Sequence, residues 1–126
     1  MFFVYTRLMR KYDLTERTAV FRETIIDLMR EIKRTDFEKP VFEQLIRSST
    51  SIGANYMEAD VAESKKDFIH KLGIARKETK ETLYWIRIIA HLYPEKRDVC
   101  RLIYKEGFEL TKIFSTIILK TKSGVQ

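Results

Sequence analysis

Small and apolar side chains recur along this chain at alternating steps of three and four residues, in four long stretches. Such spacing places the side chains along one side of an α-helix, where they can pack against other helices. Half-buried strands would instead alternate every second residue. The pattern therefore predicts an all-α fold, and the short connections favour an up-down-up-down antiparallel four-helix bundle. The longest run is Phe68, Leu72, Ala75, Thr79, Thr82, Ile86, Ile89 and Tyr93.

Capping residues and prolines indicate where the helices begin. Asp13 or Thr15 can cap the first helix through a side-chain oxygen, in a capping-box pattern. Pro40 suits the first position of the second helix, because it has no amide hydrogen to lose. Ser64, followed three residues later by Asp67, predicts a capped start for the third helix.

These boundaries define a single domain. We predict a leader of uncertain structure at residues 1–12, a four-helix domain at residues 13–121 and a polar tail at residues 122–126. The third helix should continue to Tyr93, and the fourth should begin near Glu95.

The second helix carries two stripes, one apolar and one polar. The apolar stripe predicts a buried seam made of Phe42, Leu45, Ser49, Ile52, Tyr56 and Ala59. Gly53 lies between the two stripes and indicates close approach of a neighbour, because glycine costs about 1 kcal/mol relative to alanine inside a helix. The polar stripe could form a functional groove or a hydrogen-bond network that fixes helix register. In the network interpretation, Arg47 or Arg76 pairs with Glu58 and Asn55 bonds to another helix. The residues of the polar stripe are Arg47, Ser51, Asn55 and Glu58.

The second half of the third helix has almost no polar side. A helix that is apolar all round is expected to be buried all round. A small bundle buries only one side of each helix, so the excess apolar surface here and on the fourth helix predicts a homo-oligomer. The expected interface residues are Tyr84, Trp85, Ile88 and Leu92.

Charge is distributed unevenly along the sequence. The net charge is +6, with 10 Lys/Arg against 11 Asp/Glu in residues 1–63 and 14 against 7 in residues 64–126. A basic balance favours polyanionic partners such as RNA or DNA. Cys100 is the only cysteine, which excludes an intrachain disulfide and predicts a small packed side chain in a reducing compartment. Without an apolar run of membrane-spanning length, we expect a cytoplasmic protein and no membrane partner.

The third helix carries the strongest functional signal, a stripe of cations. Lysine and arginine on a rigid helix can neutralise successive phosphates without reading bases. The alternative is a solvated surface of intrahelical salt bridges, such as Lys77 with Glu81. Lys96, Arg97 and Arg101 could add a second basic patch. The predicted nucleic-acid-binding residues are Lys65, Lys66, Arg76, Lys77, Lys80 and Arg87.

Catalytic patterns are weak, so we predict a non-enzyme without cofactors, catalytic residues or a metal site. Helical di-iron sites need two Glu-x-x-His motifs, and only Asp67-x-x-His70 fits loosely. Some helical ribonucleases of the HEPN class place an arginine ahead of a histidine. Arg87 and His91 have three residues between them, which departs from that spacing. There is also no glycine-rich phosphate loop.

Several motifs together resemble the small proteins encoded within intervening sequences of bacterial 23S ribosomal RNA genes, a family similar to the accessory proteins of diversity-generating retroelements. The resemblance covers residues 13–118. It implies a four-helix bundle, a ring-shaped homopentamer and, for the retroelement relatives, a basic surface that binds nucleic acid and a reverse transcriptase. The motifs are Gln44-Leu45-Ile46-Arg47, Ser51-Ile52-Gly53-Ala54-Asn55, Glu58, Ser64-Lys65-Lys66-Asp67-Phe68 and Ile74-Ala75-Arg76.

Two functional hypotheses follow. The first is a non-catalytic oligomer that binds RNA or DNA through backbone contacts and assists a nucleic-acid enzyme such as a reverse transcriptase. The second is an oligomeric scaffold that recognises protein partners and uses its charges only for solubility. Salt dependence separates them, since electrostatic binding weakens steeply as salt rises.

Overall fold

The computed structural model describes residues 12–124, in which the chain forms four α-helices, one short 3₁₀ turn and no strand. The predicted all-α class is therefore confirmed. The predicted leader, apart from Tyr12, and residues 125–126 of the predicted tail lie outside the described residues. In chain order the elements are α1 (Leu14–Glu31), α2 (Lys39–Asp60), α3 (Lys65–Leu92), the 3₁₀ turn (Pro94–Lys96) and α4 (Arg97–Ser123).

The predicted seams form the core of a helical bundle. Helix α3 packs extensively against both α2 and α4, and α1 packs against α2 and α4. Every residue of the apolar stripe predicted on α2 is buried, and Tyr93 is the one member of the α3 run that is only partly buried. Cys100 is 2% exposed, as expected for a small packed side chain. Burial thus follows the spacing of three and four residues.

The two predicted N-terminal caps have different outcomes. Ser64 caps α3, because its hydroxyl accepts a hydrogen bond of 3.0 Å from the Asp67 amide. The capping box predicted for α1 is wrong: Asp13 precedes the helix with a left-handed φ of 51°, and its side chain makes no capping bond. Thr15 Oγ1 instead lies 3.0 Å from the Tyr56 hydroxyl on α2. Its hydroxyl therefore links two helices rather than capping one.

Helix α4 starts and ends later than the sequence suggested. Pro94–Lys96 form a 3₁₀ turn before the α-helix begins at Arg97. At the other end the helix continues to Ser123, so Lys122 and Ser123 are helical rather than part of a tail. Gly124 then ends the helix with a left-handed φ of 73°, and its amide bonds to the carbonyls of the last turn.

The second half of α3 is not buried on all sides within one chain, contrary to the expectation from its composition. Leu83, Ile86 and Ile89 are buried, whereas Tyr84 is 61% exposed. The reason is geometric, since one α3 side faces away from the helices that flank it. None of the helices within residues 12–124 is both long and apolar enough to cross a lipid bilayer.

Candidate nucleic-acid interface

The cations predicted to bind nucleic acid are carried by α3 without neutralising partners. Lys66, Lys77, Lys80 and Arg87 are exposed, and Lys65 and Arg76 are half-buried. Among residues 12–124 no carboxylate comes within 4.0 Å of any of these six. Arg76 is held in place differently, because its Nη1 donates a hydrogen bond of 3.3 Å to Ser115 Oγ on α4. The stripe therefore keeps its positive charge.

The two acidic residues interspersed with the stripe, Glu78 and Glu81, form ion pairs with an arginine of α2. Arg47 Nη1 lies 3.2 Å from Glu78 Oε2, and Arg47 Nη2 pairs with Glu81. The hydrogen bond from Arg47 is the largest cause that lowers the pKa of Glu81 below its ordinary value. The intrahelical pair of Lys77 with Glu81 does not form. One arginine thus compensates much of the acidity of α3, on the flank that faces α2.

Half of the basic stripe lines two grooves that α3 forms with α4. Arg76 and Lys77 line the first groove and Arg87 lines the second, whereas Lys65, Lys66 and Lys80 line neither. The first, which we call the Gly73 groove, has a volume of about 320 Å³. It combines two stripe residues with a lysine from the end of α4. Its lining residues are Ile69, His70, Gly73, Ile74, Arg76, Lys77, Ile118 and Lys122.

The second groove lies toward the carboxyl end of α3 and contains Arg87 from the stripe. We call it the Cys100 groove; its volume is about 310 Å³. Arg76 and Arg87 are about 16 Å apart along the helix axis, at 1.5 Å per residue. The lining residues are Ile86, Arg87, Ala90, Arg97, Cys100, Arg101, Tyr104 and Lys105.

The three residues of the predicted second basic patch, Lys96, Arg97 and Arg101, do not form one surface. Lys96 Nζ lies 2.9 Å from Glu31 Oε2 of α1, whereas Arg97 and Arg101 line the Cys100 groove. Lys105 and Lys122 were not singled out from the sequence. The steps of four from Arg97 to Arg101 to Lys105 could have identified the first, since they place three cations on one helix face. Lys122 was missed because it was assigned to the tail.

The polar stripe of α2 does not form one network. Ser51 Oγ donates to the Arg47 carbonyl at 2.7 Å, and Asn55 Nδ2 donates to the Ser51 carbonyl at 2.9 Å. Glu58 pairs with Lys71 at 3.2 Å. The expected pairs of Arg47 or Arg76 with Glu58, and the cross-helix bond of Asn55, are wrong. Arg47 is nearer to acids on α3, and the amide of Asn55 is satisfied within its own helix.

The buried polar contact between α2 and α3 uses residues that the sequence did not indicate. The hydroxyls of Ser48 and Thr82 are fully buried and 2.9 Å apart. Glu78, beside them, is 8% exposed and bonded to Arg47. Thr82 was predicted as a packing residue of the α3 run and Ser48 lies outside the apolar stripe of α2, so the spacing did not indicate a bond between them.

The four residues predicted for an oligomer interface remain accessible in the single chain. Tyr84 is exposed, and Trp85, Ile88 and Leu92 are half-buried. The rings of Tyr84 and Trp85 make an edge-to-face contact with centroids 4.9 Å apart. Trp85 Nε1 donates to Glu81 at 3.5 Å. An apolar surface is thus available on α3, adjoining the Arg47 ion pairs.

Residues considered for catalysis are not gathered into a centre. His70 and His91 are both exposed, and His70 lines the Gly73 groove. Within residues 12–124, no three His, Cys, Asp or Glu side chains are grouped as metal ligands would be.

Comparison with known proteins supplies the remaining information. Residues 10–116 match the protein family described as 23S rRNA-intervening sequence protein. The fold is similar to a crystal structure, at 1.70 Å resolution, of a protein with unknown function from the S23 ribosomal protein family of Bacteroides thetaiotaomicron. The two are 34% identical, with a TM-score of 0.73 over 83% of this chain and 97% of the other. The search of curated proteins finds no match.

Proposed function

The chain belongs to the 23S rRNA-intervening sequence protein family, and we propose that it is a non-catalytic protein that binds the backbone of RNA or DNA through α3. The observation that carries this proposal is the unpaired charge of Lys77 and Lys80, both exposed on one side of a rigid helix. Cations held in this way can contact successive phosphates and release counterions. Arg76, fixed by Ser115, adds a positioned guanidinium.

The distribution of acids also supports this assignment. Glu78 and Glu81 interact with Arg47 on the flank of α3 that faces α2, so they do not neutralise the lysines. The Gly73 groove brings Lys122 of α4 next to Arg76 and Lys77. A backbone ligand that follows α3 would thus meet cations from two helices, with few groups able to read base edges.

We further propose that the helices run up-down-up-down and that copies assemble into a ring. Contacts between neighbouring helices support the antiparallel arrangement, because residue numbers rise along one helix as they fall along the next. On α2 and α3, Glu58 pairs with Lys71 while Ser48 meets Thr82. The accessible apolar surface around Tyr84 supports self-association. Five subunits, and an assisted enzyme such as a reverse transcriptase, are expectations from the family resemblance alone.

Exposed aromatic residues favour a second candidate function, that of a protein scaffold without nucleic-acid binding. Tyr84 and Phe108 are both more than half exposed, and Lys112 lies over the Phe108 ring at 5.3 Å from its centroid. Such residues often anchor protein interfaces.

Fluorescence anisotropy over a salt series tests the first function against the second. Labelled single-stranded and duplex RNA and DNA would be titrated with the wild type and with the Lys77→Ala/Lys80→Ala variant. We expect steep salt dependence, and a log-log salt slope reduced by roughly 1.4 to 1.8 in the variant, since each of the two lost phosphate contacts contributes roughly 0.7 to 0.9. Assembly, measured by light scattering, should not change.

The matched control is Lys33→Ala/Lys39→Ala, which removes the same charge from exposed lysines outside α3. It should change the salt slope less than the α3 variant does. Equal losses in both variants would mean that net charge, rather than α3, drives binding. Absence of binding at low salt by the assembled wild type would contradict the nucleic-acid function and leave the scaffold.

A further inference from the structure

The Cys100 groove differs in chemistry from the rest of the basic surface. Its floor is made of Ile86, Ala90 and Cys100, with the ring of Tyr104 at the side. Its rim is made of cations from both helices. These are Arg87 of α3 and Arg97, Arg101 and Lys105 of α4.

The rim cations are largely without counter-charges. Among residues 12–124, only Arg101 has an ion pair, at 3.4 Å from Asp98 Oδ1. The Asp98 side chain is 97% exposed, so this pair is well solvated and easily exchanged. No acidic residue lines the groove. The rim is therefore complementary to a ligand with several negative charges.

The floor limits which polyanion can fill the groove. A nucleobase placed there would leave donors and acceptors on its edges against aliphatic carbon, which costs free energy when no hydrogen bond replaces water. An aliphatic or aromatic side chain has no such groups and would bury apolar surface instead. Apolar exposure continues along α4 from Tyr104 to Phe108, one turn further on. This extension suits a chain segment longer than a single side chain.

We propose that the Cys100 groove docks an acidic, apolar peptide segment of a partner protein. An apolar side chain of the segment lies on the floor between Ile86 and Ala90, and flanking carboxylates pair with Arg97 and Arg101. Charge-assisted bonds from arginine to carboxylate give both orientation and strength. This site is separate from the nucleic-acid contacts at Lys77 and Lys80, and does not depend on them.

Selection from a random peptide library displayed on phage, against the immobilised full-length protein, tests the proposal without a known ligand. The expected result is enrichment of sequences that combine Asp or Glu with Leu, Ile or Phe. A selected peptide, labelled and measured by anisotropy, should bind the Arg97→Glu/Arg101→Glu variant at least tenfold more weakly. Replacing the peptide's apolar residues with serine should weaken binding similarly. No enrichment, or enrichment without acidic residues, would overturn the proposal.

Two controls locate the site. Lys33→Glu/Lys39→Glu makes the same charge change at exposed positions outside the groove and should retain peptide binding; an equal loss would overturn the assignment to this groove. Single-stranded RNA should not compete with the peptide on the Lys77→Ala/Lys80→Ala variant, in which nucleic-acid binding at the proposed α3 site is weakened. Competition there would assign the groove to nucleic acid instead. Dissociation of the oligomer by Arg97→Glu/Arg101→Glu would assign it to a second copy of the chain.

Discussion

Three glycines lie inside helices, and their surroundings differ. A Cβ atom added to Gly107 would lie 2.5 Å from Leu83 Cδ2 and 3.0 Å from Phe21 Cζ. At Gly53 the nearest atom is Arg22 Nη1 at 3.1 Å, which agrees with the close approach predicted there. At Gly73 nothing lies within 4 Å. Packing within the chain accounts for Gly107. At Gly53 the neighbour is the end of a flexible arginine side chain, which can shift, and Gly73 has no neighbour that explains it.

Alanine at position 107 should therefore lower the free energy of unfolding, whereas alanine at position 73 should raise it. Gly107→Ala forces buried side chains of α1 and α3 to move and should cost about 1 to 3 kcal/mol in the free energy of unfolding. Gly73→Ala should stabilise the protein by about 0.5 to 1 kcal/mol, because alanine favours the helix and meets no neighbour. Urea unfolding measures both, and destabilisation by Gly73→Ala would show that the backbone there is constrained by something else.

Glu81 should make stability depend on pH. The hydrogen bond from Arg47 lowers the pKa of Glu81, so the folded state binds a proton less readily than the unfolded state. The stabilisation is full above the unfolded pKa of about 4.3 and is lost as pH falls through the lower, folded pKa. Because both side chains are partly exposed, the pair should contribute only about 0.2 to 1 kcal/mol.

Thermal unfolding of Glu81→Gln tests this linkage. The variant should melt below the wild type at pH 7, and the difference should narrow as the pH is lowered below about 4. Glu63→Gln is the control, since Glu63 is exposed and has no ion pair within residues 12–124. A melting difference that stayed constant across the acidic range would contradict the role of the Glu81 carboxylate.

Individual polar partners were the least predictable part of the sequence. Arg47 and Glu58 lie eleven residues apart on α2, about 16 Å along the helix axis, so the predicted pair between them is out of reach within one chain. The structure selects Glu78 and Glu81 because of the rotation of α2 against α3. That rotation depends on how the whole interface between the two helices packs, so it cannot be predicted from the residue spacing within one helix.

Contact between α2 and α3 combines a tight apolar seam with one buried hydroxyl pair. Thr82 also bonds to the Glu78 carbonyl of its own helix, at 2.8 Å. Ser48 has a longer alternative acceptor in the Leu45 carbonyl, at 3.4 Å. The shared bond between Ser48 and Thr82 therefore joins two helices whose hydroxyls are otherwise satisfied locally.

A double-mutant cycle should detect this bond. Ser48→Ala and Thr82→Val should each cost about 1 kcal/mol, and the double variant should cost less than their sum by at least about 0.5 kcal/mol. Thr79→Val is the matched control, because Thr79 is equally buried and bonds only to the Ala75 carbonyl within α3. Combined with Ser48→Ala it should be additive. Additivity in both cycles would show that the cross-helix bond contributes nothing.

The helices themselves could be predicted, because the buried residues recur at steps of three and four along the sequence. Phe42, Leu45 and Ile52 on α2 are all buried, as the pattern required. Ends were less predictable where a competing contact existed. Thr15 bonds to Tyr56, which lies far away in sequence, and local capping rules cannot anticipate such a partner.

The molecule as a whole presents apolar and cationic surface on the same two helices, α3 and α4. Tyr84, Phe108 and Leu119 are exposed on them, close in sequence to the unpaired cations. This arrangement would let one part of the surface join subunits while another remains free for a ligand. Composition predicted an excess of apolar surface, but which residues remain exposed depended on how the helices pack.

Assembly should depend on the apolar surface of α3. Tyr84→Glu/Ile88→Glu should reduce the mass measured by light scattering toward that of one chain, because it places carboxylates in the proposed interface. Tyr84→Glu alone provides a milder test with less risk to folding, since Tyr84 is mostly exposed. Circular dichroism should show that helicity is retained.

The control for assembly is Phe37→Glu, which changes an aromatic residue that is 82% exposed in the connection between α1 and α2. It should leave the mass unchanged. Unaltered mass for both Tyr84 variants would place the interface elsewhere.

The rate at which a thiol reagent labels Cys100 should report local opening between α3 and α4. The Cys100 thiol is the only one in the sequence and is almost fully covered between α3 and α4, and burial raises its pKa. A thiol reagent must enter the Cys100 groove and reach a side chain that is 2% exposed, so local separation of α3 and α4 should increase the labelling rate. A ligand bound in the Cys100 groove should slow this labelling. The labelling rate of the single native thiol therefore reports binding at this groove without an added probe.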